Sequence, residues 1–464
     1  MENKTKQESI SMPVVNAHAA GIDVGSRMHY VAVGQLADEV RTFNVYTKDN
    51  ALLVKYLQQK GITSVAMEST GTYWQTLYKC LQSAGFEVVL SNNYIKDPQR
   101  KTDTKDARWL QRLHTLGLLK QAFIPSADIE QIRTYHRHRA GIVAQASSCI
   151  LKMQKALRLM NVRLDVALSD ITGLSGMNIP EAIVKGERSG PVLASLVHYT
   201  VKKTKEEITD ALQGDWKEEQ LYIVADELET FKTCQRRMIN CDKQIEALLQ
   251  KAVQKIASPI FGLPISQSVP TMLPSKRKHK KNAVTYNVSK LSMEYFGVNL
   301  LNVEGVGENT VMTFIAEVGT DIVKFPTKKN FTSWLRLAPN NKTTGNKIIS
   351  SRTPKGKSIM ANAFRLAANT IAQRKNGVLK KIFSRIAFKK GRAAAITALA
   401  RRLAEIFWIM TVKQIPYKPK DELLYEKQIR NNVIKNIQNK MKKMGLTTED
   451  IIFNSISIPS MTIS

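Results

Sequence analysis

Cysteine and long apolar runs are both scarce in this sequence. Only 4 cysteines occur in 464 residues, and no two of them form a Cys-x-x-Cys pair. This spacing is typical of neither a zinc knuckle nor a redox motif, and we assign no zinc and no disulfide. The segment from Met1 to Val14 is polar, and no run approaches the roughly 20 apolar residues that a membrane-spanning helix needs. We therefore expect no membrane partner.

Negative charge is scarce as well. The chain has 69 Lys and Arg against 39 Asp and Glu, a formal net charge of +30. The imbalance is greatest between Ile322 and Ala404, where 20 residues are Lys or Arg and none is Asp or Glu. Because ordinary surfaces mix both signs, a stretch so one-sided repels itself unless a polyanion neutralises it. The sequence therefore predicts nucleic-acid contact in this stretch.

Length and pattern predict several segments. A single hydrophobic core stops growing well below this length, so at least two domains are expected. The predicted segments are a disordered tail at 1–19, an α/β domain at 20–125, a helical coiled-coil region at 126–255, a basic linker or insertion at 256–295, a mostly α-helical domain at 296–412 and a basic tail at 413–464. Apolar spacing in the third segment predicts two long antiparallel helices joined around Gly173–Pro191. A helical spacer and an oligomerisation arm fit equally well, since such spacing shows only a buried seam.

The α/β domain alternates short β-rich runs with helical patterns, which is typical of a layered α/β fold. The predicted strands are Gly21–Val24, Tyr30–Val33, Val40–Val45, Ser64–Met67 and Glu87–Leu90. The predicted helices are Asn50–Gln59, Tyr73–Ala84 and Thr104–Leu118. Three strands followed by helix, strand, helix, strand and helix is the order of an RNase H-like domain.

Two acidic residues stand at the ends of predicted strands. Asp23 lies in the apolar strand Gly21–Val24, where a carboxylate is costly unless it is paired or binds a metal. Glu68 lies where the apolar run Ser64–Met67 stops. Side chains at the carboxyl ends of parallel strands face the functional crevice of a sheet. Taken singly, Asp23 also fits a strand end that opens a turn, and Glu68 also fits a solvent-facing residue.

Two further acids begin a predicted helix. Asp103 and Asp106 are three residues apart and share one helix face. They also fit a helix N-cap and its first turn, favoured by the helix dipole. A pair of Mg²⁺ ions about 3.5–4 Å apart needs hard oxygen ligands from several elements, and the four acids together supply them. The sequence therefore predicts a Mg²⁺ site for phosphoryl transfer, with Mn²⁺ as a substitute. We expect His114, His136 and His138 on helix surfaces or at phosphates, not on the metal.

A glycine turn and a hydroxyl-rich segment follow in the basic half. Gly305 and Gly307 precede an apolar helix in a pattern that looks like a helix-hairpin-helix, whose backbone N–H groups bind phosphate without reading sequence. A plain connector has the same pattern. Further on, Leu337–Lys347 combines hydroxyls with basic residues, which hold phosphates or supply a nucleophile that attacks phosphorus. The predicted nucleic-acid contacts are Arg27, Gly305, Gly307, Lys342, Lys347, Arg352, Lys355 and Lys357.

Five segments together resemble the DEDD transposases of bacterial insertion sequences, a family related to the Piv invertases and guided by a bridge RNA. The segments are Gly21–Gly25, Met67–Gly71, Thr102–Ala107, Gly305–Gly307 and Leu337–Gly345. They follow the family's order in both halves of the chain. The resemblance implies a RuvC-like catalytic domain and a C-terminal transposase domain. It also implies that the metal ligands are Asp23, Glu68, Asp103 and Asp106.

The resemblance further implies partners and a second reactive group. Such proteins act on double-stranded donor and target DNA, bind a structured guide RNA and assemble as dimers or tetramers in the bacterial cytoplasm, at the nucleoid. A serine of the second domain, directly before a glycine, forms a covalent link with DNA. That position is Thr344 in this chain, a more hindered secondary alcohol. Ser350 and Ser351 are lower-ranked replacements for it.

Two other functions stay open at this level. The opening Gly-Ile-Asp-x-Gly-Ser-Arg also resembles Holliday junction resolvases, which share the fold and the metal chemistry but do not need the C-terminal unit. An inactive relative that only binds nucleic acid is compatible with the threonine at position 344. A transposase accounts for both halves of the chain, so the predicted activity is metal-dependent DNA strand cleavage and exchange.

Overall fold

The computed structural model describes residues 12–34, 40–69, 71–91, 102–168, 170–256, 282–345, 347–419 and 421–446. The chain divides into two compact units, residues 1–124 and 125–464. Within the described ranges, no helix combines the length and apolar character needed to cross a bilayer.

The first unit is built on a five-stranded mixed sheet. Its strands are β1 (Ala19–Val24), β2 (Met28–Val33), β3 (Val40–Asn44), β4 (Ser64–Glu68) and β5 (Glu87–Ser91), in the spatial order β3-β2-β1-β4-β5. Its helices are α1 (Thr47–Gln59), α2 (Trp74–Ser83) and α3 (Asp103–Thr115). The three N-terminal strands are antiparallel, and β1, β4 and β5 are parallel. The predicted order of strands and helices is confirmed, and this arrangement is consistent with an RNase H-like domain.

Apolar residues explain how this sheet is covered. In β1 and β4 nearly every residue is buried, as expected for central strands with helices on both faces. Leu53 and Leu57 of α1, with Leu77 and Leu81 of α2, are fully buried in the core on one face. Their spacing of four residues places each pair on one side of its helix. The helix α3 contacts β1, β2 and β4.

The segment predicted as a disordered tail is partly anchored. Residues 1–11 lie outside the described residues, but Val15 and Asn16 both donate backbone hydrogen bonds to the Thr115 carbonyl, at 2.9 and 3.0 Å. The Asn16 side chain donates a third bond to the His114 carbonyl, at 2.7 Å. The chain just before β1 therefore satisfies carbonyls at the end of α3, which a helix otherwise leaves unpaired.

Two long helices dominate the start of the second unit. They are α4 (Ala127–Leu159) and α9 (Glu218–Ile256). The two helices are antiparallel. Asp128 near the start of α4 pairs with Lys255 near the end of α9, and Lys152 near the end of α4 pairs with Glu227 near the start of α9. This confirms the predicted pair, whereas a true coiled coil stays a prediction. The connection between them contains α5 (Leu164–Ala167), α6 (Leu174–Val184), α7 (Gly190–Ser195) and α8 (Lys205–Leu212).

A buried ion pair joins these helices to the chain that follows. Arg139 of α4 donates to both carboxylate oxygens of Asp242 of α9, at 2.5 and 3.1 Å. The same guanidinium donates to the carbonyls of Asn282 and Ala283, and Asp242 accepts from the Thr285 backbone N–H. Arg139 and Asp242 are 8% and 1% exposed, so each charge depends on these partners.

Among the described residues, the rest of the second unit contains α-helices and a hairpin. The helices are α10 (Val288–Phe296), α11 (Glu308–Glu317), α12 (Lys328–Trp334), α13 (Ile359–Ala372), α14 (Val378–Lys390), α15 (Arg392–Lys413) and α16 (Glu422–Met444), and the hairpin strands are β6 (Lys342–Thr344) and β7 (Lys347–Ser350). A core of Phe314, Phe331, Phe364 and Phe407 lies among them. Arg137 donates to both oxygens of Glu317 at 2.8 Å, which ties α4 to α11.

Two of these helices lie in segments for which we predicted no element. Helix α10 (Val288–Phe296) begins inside the predicted linker 256–295 and ends at the first residue of the next segment, and α16 (Glu422–Met444) lies inside the predicted basic tail. Asn287 and Asp421 cap their N-termini by accepting from backbone N–H groups, which is a local start signal. The basic run 276–281 of the predicted linker lies outside the described residues.

We expect Asp242→Ala to lower the free energy of unfolding by roughly 3–5 kcal/mol, because it leaves a buried guanidinium without its charge partner. Urea unfolding followed by circular dichroism measures the change. The control on the same helix is Glu229→Ala, which breaks an ion pair with Arg236 whose side chains are both 70% exposed. That loss should stay below about 1 kcal/mol. Equal losses from the two variants would contradict a stabilising role for the buried pair.

Candidate active site

The position of the acids depends on how α3 crosses the sheet. At one end, a hydrogen bond of 2.7 Å joins His114 Nε2, near the end of α3, to Ser64 Oγ, at the start of β4. In the middle, Gly21 of β1 lies against the α3 backbone between Ala107 and Gln111. The helix therefore runs antiparallel to β1 and β4. Its first turn lies toward the carboxyl ends of these strands.

Gly21 makes this approach possible. A Cβ atom at this position would lie 2.5 Å from the Ala107 carbonyl oxygen and closer still to the Gln111 nitrogen. Both of these atoms belong to the α3 backbone, so a side-chain movement cannot relieve the clash. Glycine within a strand often marks such a close backbone approach.

Strand alternation then fixes which face the acids occupy. Ile22 and Met67 belong to the core formed with α1 and α2. Neighbouring residues of a strand point to opposite faces, so Asp23 and Glu68 lie on the other face, the one that α3 covers. Ile22 pairs with Met67 across the parallel strands β1 and β4, which makes Asp23 and Glu68 neighbours at the next step.

The structure thus brings the four predicted acids to one end of one face of the sheet. Asp23, Glu68 and Asp106 are partly buried and Asp103 is exposed. The alternative that Asp103 caps the helix is wrong, since the cap is Thr102, whose Oγ1 accepts from the Lys105 N–H at 3.3 Å. Both aspartates instead lie in the first turn of α3, where the helix dipole favours negative charge.

The acids fit a divalent cation by chemistry and by location. Carboxylate oxygens are the donors that Mg²⁺ and Mn²⁺ prefer, and the four come from three different elements. Among the described residues, however, no three acidic, histidine or cysteine side chains are gathered closely enough to hold a metal ion. The backbone therefore collects the acids at one edge, and the assignment of each as a ligand stays a prediction.

The histidines differ from expectation in part. His114 is 3% exposed and bonded to Ser64, so its predicted place on a helix surface is wrong. Burial lowers its pKa, which keeps the imidazole neutral near pH 7. His136 is partly buried on α4, and desolvation lowers its pKa to about 4. His138 is exposed on the same helix.

Sequence reasoning missed His29. It is 2% exposed, and its Nδ1 has no hydrogen-bond partner among the described residues. Burial lowers its pKa. It lies on the α1 and α2 face of β2, opposite to the acids, and lines a cleft of about 220 Å³ with Gly25, Ser26, Val45, Thr72, Tyr73 and Thr76. The available signal was an imidazole at an inward position of an apolar strand, which calls for a polar partner.

The predicted nucleophile lies on the small hairpin of the second unit. Thr344 is exposed and pairs with Lys347 across β6 and β7. Ser350 is partly buried and accepts weakly from the Arg352 N–H at 3.4 Å, whereas Ser351 is exposed. All predicted basic contacts of this region are exposed, namely Lys342, Lys347, Arg352, Lys355 and Lys357, as is Arg27 in the first unit.

The glycine turn before α11 is shaped by packing. Gly305 has φ +74°, and a Cβ atom there would lie 3.1 Å from the Ala367 carbonyl and collide with Ile371 of α13. Gly307 is exposed and caps α11. Only a short 3-10 turn, Leu300–Asn302, separates this loop from α10. Gly305 is thus required by the contact with α13, while phosphate binding and a helix-hairpin-helix stay predictions.

Two protein-family models match the chain. A model of IS110-type DEDD transposases matches residues 20–162, which contain the sheet, α3 and all four acids. A model described as the transposase IS116/IS110/IS902 family matches residues 298–384, which contain the glycine turn and the hairpin with Thr344. No curated protein sequence matches the chain. The two matched regions are the two parts of the chain in which candidate reactive groups lie.

We expect Gly21→Ala to lower the free energy of unfolding of the first unit by about 1–3 kcal/mol, because the added methyl group meets helix backbone. Faster hydrogen exchange in α3 would locate the effect. The control is Gly141→Ala on the exposed side of α4, where no atom lies within 4 Å of the new methyl group. That change should raise stability by roughly 0.5–1 kcal/mol. A neutral Gly21→Ala would refute the close approach of α3.

Proposed function

The chain belongs to the IS116/IS110/IS902 family of transposases, and on this basis we propose that it cuts and exchanges DNA strands with metal-binding acids and a threonine hydroxyl. The observation that carries the proposal is the common location of Asp23, Glu68, Asp103 and Asp106 at one edge of the sheet. Four separate structural roles would not require them to meet there. A shared role in phosphoryl transfer does.

The four carboxylates are the proposed ligands for Mg²⁺, or Mn²⁺ in its place. When bound, such cations activate an attacking oxygen and stabilise the leaving oxygen of a phosphodiester. The acids supply only oxygen donors, which suits these hard cations. Carboxylates repel each other when they are brought together without a counter-charge. Asp23, Glu68, Asp103 and Asp106 would hold the cation, which would supply the counter-charge that these carboxylates need at this edge.

The helix α3 is proposed to set the geometry of this edge. It is fixed at its far end by the His114–Ser64 hydrogen bond and in its middle by contact with Gly21. Asp103 and Asp106 occupy its first turn, and these two contacts fix the position of the helix along β1 and β4. A rigid support matters because small displacements of catalytic groups cost large factors in rate.

Thr344 is the proposed nucleophile of the second domain. Its hydroxyl oxygen attacks phosphorus, so that an Oγ1–P bond forms, a P–O bond of the DNA strand breaks and the leaving deoxyribose oxygen takes up a proton. The exposed position of Thr344 on the hairpin supports access by DNA. A secondary alcohol can perform this attack, although its extra methyl group slows it relative to serine.

Nucleic-acid contact is proposed for the basic surface around this hairpin. Lys342, Lys347, Lys355 and Lys357 are exposed and lie in the stretch without acidic residues. Such lysines neutralise phosphates without reading sequence. The formal net charge of +30 favours binding of nucleic acid. We propose the guide RNA on the resemblance to bridge-RNA-guided recombinases.

We also propose that the active form is a homo-oligomer, a dimer or a tetramer. Helix α16 (Glu422–Met444) has no buried residue within the described structure. Several large apolar side chains along it are exposed, among them Leu423, Leu424, Val433 and Ile437. A helix of this kind normally buries its apolar side against a partner.

We expect Asp23→Asn to reduce Mg²⁺-dependent cleavage of DNA that carries the ends of the element by more than about 100-fold, because a direct ligand is lost. EDTA should remove wild-type cleavage and Mn²⁺ should restore it. The matched control is Glu87→Gln, an exposed acid at the opposite end of the same sheet, which should cleave normally. Equal cleavage by Asp23→Asn and wild type would exclude the proposed metal site.

We expect Thr344→Ala to abolish strand exchange and leave binding of RNA and DNA intact, because only the attacking hydroxyl is removed. Thr344→Ser should be at least as active as wild type, and Thr343→Ala, its neighbour on β6, should be active. A protein–DNA adduct trapped under denaturing conditions should form with wild type and not with Thr344→Ala. Normal recombination by Thr344→Ala would remove Thr344 from the mechanism, and cleavage with no adduct from any variant would favour a junction-type endonuclease.

A further inference from the structure

The hairpin that carries Thr344 exposes two large aliphatic side chains next to each other. Ile348 and Ile349 of β7 are 61% and 68% exposed. Burying an isoleucine side chain stabilises a fold, so the hairpin forgoes this stabilisation at two positions. A two-stranded ribbon is only marginally stable alone, and exposed isoleucines add nothing to its stability. Stability of the hairpin therefore does not explain why these two side chains are apolar.

A β-bulge makes the second isoleucine the extra residue of the ribbon. Thr343 pairs with Ile348, and the next pair is Lys342 with Ser350, so Ile349 has no opposite residue. Bulges break the alternation of a strand and redirect a side chain, and they are frequent beside active sites. The irregularity thus lies at the apolar position and within a few residues of the proposed nucleophile.

The charge around the isoleucines points to a single kind of partner. Exposed Lys342 and Lys347 flank them on the hairpin, and exposed Arg352 follows it. No acidic residue occurs between Ile322 and Ala404. An exposed apolar pair flanked by these basic side chains does not suit a protein groove of ordinary mixed charge. It does suit duplex DNA, whose phosphates attract the lysines and Arg352 and whose base stack accepts an apolar side chain.

We propose that Ile348 and Ile349 form an apolar wedge that enters the base stack of duplex DNA and opens a step beside Thr344. Proteins that deform DNA often insert Phe, Leu, Ile, Met or Pro between base pairs, and the unstacking costs free energy. The surrounding lysines and Arg352 offset this cost through phosphate contacts. The DNA substrate of this inference is that of the proposed function. The role proposed for the hairpin is to separate the bases next to the phosphate that Thr344 attacks.

The test uses the full-length protein and a duplex of repeated TA steps with 2-aminopurine in place of adenine, in EDTA so that no strand is cut. TA steps unstack easily, and 2-aminopurine becomes brighter when it loses its stacked neighbours. We expect wild type to raise the fluorescence and the double variant Ile348→Ser/Ile349→Ser to lose most of that rise. The salt dependence of binding should keep its slope, because no phosphate contact is removed.

Matched variants separate the wedge from other roles of the same residues. Ile348→Leu/Ile349→Leu keeps apolar bulk and should keep the fluorescence rise. Ile239→Ser changes an isoleucine that is 44% exposed on α9, outside the acid-free stretch, and should behave as wild type. Both isoleucines of the hairpin are exposed, so the serine variant should retain the circular dichroism spectrum and melting temperature of wild type.

Two outcomes would overturn the wedge. An undiminished fluorescence rise in the serine double variant would show that the isoleucines do not unstack DNA. A loss of oligomer mass in sedimentation with unchanged unstacking would place them at a contact between copies of the chain. Failure of the proposed function gives a different result. Wild type and Thr344→Ala would both raise the 2-aminopurine fluorescence, but wild type would not cleave DNA in the presence of Mg²⁺.

Discussion

The contact between Gly21 and the backbone of α3 is the constraint on which the candidate catalytic edge depends. It sets the distance between the helix and β1, and the hydrogen bond between His114 and Ser64 sets the direction. With both fixed, the first turn of α3 can lie only at the carboxyl ends of β1 and β4. Acids far apart in the chain thereby become neighbours through backbone geometry, before any side-chain interaction between them is considered.

Electrostatic repulsion explains why the four acids share one edge of the sheet while their carboxylates do not form a tight group. Carboxylates that approach one another need a counter-charge, and among the described residues no group of three is gathered as in a metal centre. The helix dipole supplies part of the counter-charge for the two aspartates of α3. In the second unit, acids outside the acid-free stretch pair with some of its basic residues, such as Lys381 with Glu422 and Glu426. The basic residues around the hairpin, among them Lys342, Lys347 and Arg352, are exposed.

The sequence predicted the sheet well because strand ends and apolar runs are local signals, whereas the role of the four acids stays a prediction. Asp23 and Glu68 interrupt apolar runs, and those interruptions coincide with the strand ends. What it did not predict depends on contacts between distant residues. His114 fits a helix surface by sequence, but Ser64, fifty residues earlier, buries it. His29 gave no motif at all, and most of α10 fell within the linker that we predicted around the basic run 276–281. The role of Thr102 as the helix cap was missed because an aspartate stood next to it.

The Arg139–Asp242 pair has a consequence for the segment that leads into α10. Its guanidinium also bonds the carbonyls of Asn282 and Ala283, so one buried pair holds that segment against both long helices. A substitution at either residue would therefore release the start of that segment together with the contact between the helices.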